Sequence, residues 1–212
     1  MNNSILERIA TFVSTVMSPL MMPTYGIFLA LWVSIMSLAP VGSRLFVLSV
    51  VFFLTFVLPV IFVSVLVRLK KVKHFNLDDQ HDRKLPYIFA IVCYAVTALY
   101  LNSVHAPIWL IAFVIGGVLA AAIAFIVNFW WKISGHMTGI SGIIALLFFI
   151  HTYGLEAFDL FWLIIATILF AGVVGTARLV LRQHTIAQEV AGFANGFFSV
   201  ALAMQIIVDI FM

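Results

Sequence analysis

The chain has 212 residues, of which 65% are hydrophobic and only 9% are charged, and its formal net charge is +3. This composition excludes an ordinary soluble domain and a disordered chain, and it indicates a helical membrane protein with several spans. The apolar residues form long continuous runs rather than alternating with polar residues, which excludes a membrane β-barrel. The small charge excess without a long basic run argues against a nucleic-acid partner. The single cysteine, Cys93, excludes a disulfide framework.

The first 23 residues differ in pattern from the rest of the chain. Between Ile5 and Met21, apolar side chains fall on one side of a helix, and charged, serine and threonine side chains fall on the other. This pattern predicts an amphipathic helix that lies in the membrane interface. Pro19 and Pro23 are expected to end it. We therefore predict a single integral membrane domain over residues 1–212, with an interfacial helix over 1–23 and a transmembrane core over 24–212.

Seven apolar runs follow, and most of them approach the roughly 20 residues that a bilayer crossing needs. The predicted fold is therefore an all-α, polytopic transmembrane helical bundle of six to seven spans. The runs are Thr24–Ala39, Arg44–Val67, Leu85–Leu101, Ile108–Asn128, Met137–Ile150, Ala157–Ala177 and Glu189–Met212.

Three polar, cation-bearing segments separate these runs, at residues 68–86, 128–137 and 175–189. If each run crosses the membrane once, all three segments lie on the same face. Apart from the candidate ligands below, that face carries most of the remaining cations, and the positive-inside rule therefore places it in the cytoplasm. We expect the membrane to be the bacterial inner membrane. The cations are Arg8, Arg68, Lys70, Lys71 and Lys73 on this face, against Arg44 alone on the other.

Two of these segments place a histidine near cationic side chains at the end of an apolar run. His136 follows Lys132, and His184 follows Arg178. Cations neutralise an oxyanion such as phosphate, and an imidazole attacks or moves protons near neutral pH. Ionisable residues near membrane depth are functional candidates by default. The sequence therefore predicts an oxyanion site with two histidines near one interface.

The segment before His136 has two interpretations. Ser134 and Gly135 stand where a helix begins, and unpaired backbone N–H groups at a helix start hold phosphate. Alternatively, the spacing of Gly135, Gly139 and Gly142 is typical of closely packed membrane helices. The two interpretations are compatible, because Gly139 and Gly142 can pack while Ser134 and His136 bind.

Arg178 and His184 are six residues apart, which places them about 120° apart on a continuous helix. They can share a site only if the helix bends or ends between them. Thr185 and Gln188 have the spacing of a capping box, which marks a helix start. We therefore predict that one helix ends near Leu181 and that the next begins near Thr185.

These residues resemble signature motifs of the type 2 phosphatidic acid phosphatase family. That family's second motif reads Pro-Ser-Gly-His, and its third reads Ser-Arg, five residues, His, three residues, Asp. The chain has Ser134-Gly135-His136 with Ile133 in place of Pro. It has Arg178, five residues and His184, with Ala177 in place of Ser and Gln188 in place of Asp. The segment 82–86, Asp-Arg-Lys-Leu-Pro, looks like a divergent first motif.

The resemblance implies a role for each matching residue. His184 would be the nucleophile that becomes phosphorylated, His136 would protonate the leaving group, and Gln188 would orient His184. Asp79 and Asp82 are candidates for the missing acidic charge, and Arg182 is a candidate ligand, although its position slightly favours an extension to the lipid head groups instead. No metal or cofactor is implied. The expected phosphate ligands are Arg83, Lys84, Lys132 and Arg178, with the backbone of Ser134 and Gly135.

The resemblance implies a membrane phosphatase that hydrolyses a lipid phosphate or pyrophosphate through a phosphohistidine intermediate, with the substrate and membrane lipids as its partners. One alternative is a degenerate member that binds or moves phospholipids without hydrolysis, as the departures at Ile133, Ala177 and Gln188 would allow. The other is a small anion transporter, although the chain has no internal repeat of broken helices. Substitution of His184 separates these alternatives. The sequence leaves the oligomeric state open.

Overall fold

The computed structural model describes residues 5–72 and 80–211. Within these ranges the chain is helical and has no β-strand, which confirms the predicted all-α class. The α-helices are α1 Ile5–Val16, α2 Met22–Val33, α3 Val41–Phe52, α4 Leu58–Arg68, α5 Lys84–Ser103, α6 Ile108–Val127, α7 Gly135–Thr152, α8 Phe161–Val180 and α9 Ile186–Phe211.

Seven helical units in the described chain are long and apolar enough to cross a membrane, so the protein is an integral membrane protein. A 3₁₀ turn at Pro19–Met21 joins α1 to α2, and a π-helical turn at Phe53–Val57 joins α3 to α4. The unit His81–Ser103 begins with a 3₁₀ turn at His81–Arg83, and the remaining four units are single helices. The predicted number and order of spans are confirmed, and the bounds of the last six move by a few residues. The first unit, Ile5–Val33, begins well before the predicted Thr24, because it includes the helix that was predicted to lie in the interface. The second span begins at Val41 instead of Arg44, for example, because Pro40 precedes the first turn.

Glycines on α9 bring it against the start of α7. A Cβ atom at Gly192 would collide with the carbonyl oxygen of Ser134, and one at Gly196 would collide with that of Thr138. The Thr138 hydroxyl bridges the two helices by donating to the Gly192 carbonyl oxygen over 3.0 Å. On the other side of α7, Gly139 lies directly against Met22. These contacts confirm the packing interpretation of the glycines in α7.

Helix α1 turns its polar side, rather than its apolar side, toward the rest of the protein. Its apolar residues Ile5, Leu6 and Phe12 are exposed, whereas Ala10 and Ser14 are buried. The helix packs on α8 with its serine and threonine side toward the interior of the bundle. The helix itself is confirmed within residues 5–16, and its polar face lines the site described below.

The end of the bundle away from the histidines is closed by backbone hydrogen bonds. The amide of Ile35 donates to the Leu155 carbonyl oxygen over 2.8 Å, and the amide of Ala157 donates to that of Val33 over 2.9 Å. These bonds fix the end of α2 against the α7–α8 connection. The connection between α7 and α8, two helices that carry polar segments at their other ends, is therefore joined to α2 here.

Candidate functional site

The three polar segments meet at one end of the bundle. Asn128 donates through Nδ2 to the Gln80 carbonyl oxygen over 2.9 Å, and Gln80 donates through its side chain to the Asn128 carbonyl oxygen. The amide of Ser134 donates to the Gln188 carbonyl oxygen over 3.1 Å. The first segment is thus bonded to the second, and the second to the third. The prediction that they share one face is confirmed.

The helix break between Arg178 and His184 is also confirmed. Helix α8 ends at Val180, and α9 begins at Ile186. The amide of Thr185 donates to Oε1 of Gln188 over 3.2 Å, and the amide of Gln188 donates to Oγ1 of Thr185 over 3.4 Å. This reciprocal pair is the predicted capping box. Because the chain turns here, Arg178 and His184 line the same cavity.

Arg178 is buried, and its guanidinium contacts α1. Its Nη1 donates to the hydroxyl oxygen of Ser14 over 2.6 Å. His136 contacts the same residue, since its Nε2 lies 3.0 Å from the carbonyl oxygen of Ser14 and 3.2 Å from its hydroxyl oxygen. A carbonyl oxygen only accepts hydrogen bonds, so Nε2 of His136 carries the proton. Ser14 therefore positions one predicted phosphate ligand and one predicted proton donor.

The contacts of His184 determine which of its ring nitrogens is reactive. Its Nδ1 lies 3.2 Å from Oε1 of Gln188, and that oxygen also accepts from the amide of Thr185. The amide proton fixes the Gln188 oxygen, rather than its nitrogen, at this position. Nδ1 must therefore donate its proton, and Nε2 of the neutral ring carries the lone pair. Gln188 thus orients His184 through a neutral amide oxygen and supplies no negative charge.

The surroundings of His184 favour its neutral form. Burial and the positive charges of Lys132, Arg178 and Arg83 together lower the pKa of this imidazole from 6.5 to about 3, and the hydrogen bond that it donates to Gln188 opposes this shift. His184 is therefore neutral at physiological pH. A neutral imidazole with a bare Nε2 is the form that attacks phosphorus.

Some of the predicted phosphate ligands lie beside the histidines, and others point away from them. Arg83 is buried and lines the same cavity as both histidines, and Lys132 is an electrostatic neighbour of His184. By contrast, the ammonium group of Lys84 lies 5.0 Å above the ring of Phe129. Arg182 is exposed, adopts a positive φ of 53°, and does not line the cavity. Arg83, Lys132 and Arg178 are the cations that surround the histidines.

One expectation about backbone donors is wrong. The amide of Ser134 was expected to be open to phosphate, but it donates to the Gln188 carbonyl oxygen because α9 packs directly on the start of α7. The Ser134 hydroxyl oxygen instead caps α7 by accepting from the amide of Met137 over 3.4 Å. Gly135 lines the cavity. Asp82 is partly buried beside Arg83, and Asp79 lies outside the described residues.

Sequence reasoning missed Glu189 as a member of the site. On an isolated helix Glu189 points about 100° away from Gln188, so its position in the sequence does not indicate a role beside the histidine. In the structure its side chain is 5% exposed and neighbours the Ser134 hydroxyl and Arg178. Neither carboxylate oxygen makes a hydrogen bond of good geometry. A carboxylate is therefore present beside the cations, although it does not contact His184.

The histidines and arginines lie at the mouth of a cavity of about 660 Å³ that extends into the apolar part of the bundle. Along α6, its lining residues run from Ala124 near the mouth to Phe113 at the deepest point. This separation of eleven residues corresponds to roughly 16 Å at 1.5 Å per residue. The cavity-facing side of α6 is built from small residues, namely Gly117, Ala120, Ala121 and Ala124. The site thus combines a cationic mouth with an apolar interior.

In comparisons with known proteins, no family model, no curated protein and no solved structure matches this chain. The site is therefore interpreted from its own geometry. In the described chain, no three His, Cys, Asp or Glu side chains are grouped closely enough to hold a metal ion.

Proposed function

We propose that the chain is a membrane phosphatase that hydrolyses a lipid phosphate or pyrophosphate through a phosphohistidine intermediate. The observation that carries this proposal is the state of His184, a neutral imidazole with a bare Nε2 at the mouth of an apolar cavity. The surrounding cations suit the charge that spreads over the phosphoryl oxygens during transfer. The resemblance of the Ser134–His136 and Arg178–His184 segments to the phosphatase family supports the same chemistry.

The reaction has two steps. Nε2 of His184 attacks phosphorus, a P–N bond forms, and the bond from phosphorus to the lipid oxygen breaks. Arg83, Arg178 and Lys132 hold the phosphoryl oxygens, while protonated His136 gives its proton to the leaving oxygen. Water then attacks the phosphorus of the phosphohistidine while His136 takes a proton from that water. The P–N bond breaks, its electron pair returns to Nε2 of His184, and inorganic phosphate leaves. Since the bound phosphate supplies negative charge, it favours the imidazolium form of His136 that the first step requires.

The cavity supports a lipid as the substrate class. A phosphate at the mouth would leave its apolar chain along the small-residue face of α6, inside the bundle. Burial of such a chain contributes about 0.8 kcal/mol for each CH₂ group. The head group of a membrane lipid lies at the membrane surface, where it can enter the mouth of the cavity. We infer from the excess of lysine and arginine on the site face that this surface is the cytoplasmic side of the bacterial inner membrane.

The test is phosphate release from a panel of lipid phosphates in detergent, comparing the wild type with His184→Ala. We expect the substitution to abolish release, and we expect the wild type to accumulate an acid-labile, alkali-stable phosphate label at His184. His151→Ala is the matched control, because His151 lies at the other end of the bundle with Glu156. Release that persists in His184→Ala would remove His184 as the nucleophile.

A second candidate function is lipid binding or movement without hydrolysis. Gln188 favours it, because an amide cannot supply the negative charge that stabilises a phosphorylated imidazole. In that case the folded wild type releases no phosphate from any lipid, but it still binds lipid phosphates, and substitution of Arg178 or Arg83 weakens that binding.

A further inference from the structure

A second cavity, of about 490 Å³, lies at the end of the bundle opposite the histidines. It is lined by the end of α2, the start of α3 and residues 104–106. Its polar wall contains Arg44, Ser43 and His105. The remainder is mainly apolar and includes Leu31, Met36, Phe46, Val47 and Leu110.

Arg44 is the buried cation of this cavity, with 8% of its surface exposed. Its Nη1 donates to the Leu31 carbonyl oxygen over 3.3 Å, and its guanidinium carbon lies 4.8 Å above the ring of Trp32. Its Nε is buried without a hydrogen-bond partner, and no carboxylate of the described chain contacts the guanidinium. Buried N–H groups are normally paired, and a buried charge is normally balanced.

The backbone beside Arg44 adds to the positive potential. Helix α3 begins at Val41 after Pro40, and no side chain caps its first turn. The amides of Val41, Gly42 and Ser43 precede the first intrahelical donor, which is the amide of Arg44 bonded to the Pro40 carbonyl oxygen over 3.2 Å. A helix start carries partial positive charge, so an arginine here is electrostatically unfavourable without an anion.

We propose that this cavity binds the anionic head group of a membrane lipid in the leaflet opposite the histidine site. An oxyanion between Nε of Arg44 and the first amides of α3 would satisfy the buried donor and neutralise both positive charges. The apolar wall and the exposed neighbours Leu38 and Leu45 favour an amphiphile over a free ion. No residue of this cavity lines the histidine site, so failure of one proposal would leave the other unaffected.

The test uses the purified full chain with photoactivatable phosphatidylglycerol or phosphatidylcholine that carry identical acyl chains, followed by mapping of the cross-linked peptides. We expect phosphatidylglycerol to label residues 40–47 and 104–110 preferentially. Arg44→Gln should reduce that labelling about tenfold, as loss of one charge-assisted contact implies. Arg68→Gln is the matched control, because Arg68 is an exposed cation at the other end of the bundle.

A second variant tests the proposal independently, in case Arg44→Gln does not fold. A Cβ atom at Gly42 meets no atom within 4 Å, so Gly42→Leu should fold and fill the cavity while keeping Arg44. It should reduce the labelling to a similar extent. Equal labelling by both lipids, or labelling that survives both substitutions, would overturn the proposal. Loss of labelling on addition of inorganic phosphate would identify a free oxyanion as the ligand and would overturn the lipid assignment.

Discussion

Nη1 of Arg178 donates a hydrogen bond over 2.6 Å to the hydroxyl oxygen of Ser14, a residue 164 positions earlier in the chain. The carbonyl oxygen of the same serine accepts from Nε2 of His136. One residue of α1 thus fixes the orientation of a cation from α8 and of a histidine from α7. The N-terminal helix is therefore a structural part of the site and is more than a membrane anchor.

Ser14→Ala tests this positioning role. The substitution removes the acceptor of Arg178 and leaves the carbonyl contact with His136. Hydrogen bonds to charged groups contribute about 1.5–3 kcal/mol, so we expect kcat/KM for a lipid phosphate to fall at least about tenfold. Thr176→Ala is the control, because Thr176 is exposed on α8, does not line the cavity, and its side chain bonds to the Gly172 carbonyl oxygen. A rise in kcat/KM would show instead that Ser14 competes with the substrate phosphate.

Gln188→Glu should increase phosphatase activity. Glutamate has the same length as glutamine, so its carboxylate can accept from Nδ1 of His184 and from the amide of Thr185 at the present positions. Its negative charge would stabilise the phosphorylated, cationic ring. A carboxylate that raises the pKa of His184 by one unit stabilises the cationic ring by 1.36 kcal/mol. If the transition state gains the same stabilisation, kcat should increase about tenfold. Gln188→Ala should reduce activity, because Nδ1 then loses its acceptor. Equal rates in the two variants would refute an orienting role for Gln188.

The tautomer of His184 can be measured directly. In protein labelled with ¹⁵N-histidine, we expect the His184 signals, identified by their loss in His184→Ala, to report a protonated Nδ1 and a bare Nε2 at pH 6. The pKa of about 3 in the folded state lies below the ordinary value of 6.5. The unfolded chain therefore binds more protons between these values, and stability falls as the pH decreases from about 6.5 toward 3. A His184 signal that titrates near pH 6.5 would contradict this environment.

The parts of the site that follow from short sequence patterns were predictable. The break between Arg178 and His184 depends on a capping box four residues long, and the capping contacts form within that segment. The shared face of the three polar segments follows from counting the spans. Such features are determined by neighbouring residues and by the membrane, so they need no knowledge of how the helices pack.

The features that sequence reasoning missed depend on helix packing. The amphipathic pattern of α1 predicted a polar side, but only contact with α8 brings Ser14 to Arg178. The angle of about 100° between Glu189 and Gln188 describes α9 alone, whereas in the bundle Glu189 reaches Ser134 across the α7–α9 contact. At the same contact, the amide of Ser134 donates to the Gln188 carbonyl oxygen and is therefore not open to phosphate.

The α7–α9 contact should tolerate no additional methyl group. A Cβ atom at Gly196 would collide with the carbonyl oxygen of Thr138 and with the Ser141 side chain, so Gly196→Ala must separate the helices. We expect a loss of stability of about 1–3 kcal/mol, seen as a lower Tm in detergent. Gly172→Ala is the control, because a Cβ atom there meets no atom within 4 Å. Equal Tm values for the two variants would contradict this packing.

The cavity makes a prediction about which lipid phosphates react. Gly117 lies on the cavity-facing side of α6, and a Cβ atom there would be 3.7 Å from the ring of Tyr94. A leucine at this position would extend into the space that we assign to the lipid chain. We therefore expect Gly117→Leu to lower kcat/KM for long-chain phosphates by about tenfold or more, and to leave short-chain phosphates nearly unchanged.

Ala122→Leu controls for the added side chain, because Ala122 is on α6 but does not line the cavity. It should leave the ratio of long-chain to short-chain kcat/KM at the wild-type value. A uniform loss for all chain lengths in Gly117→Leu would indicate that the substitution disturbs the site itself. An unchanged ratio in both variants would mean that the lipid chain lies outside the bundle, so that only the cationic mouth of the cavity contacts the substrate.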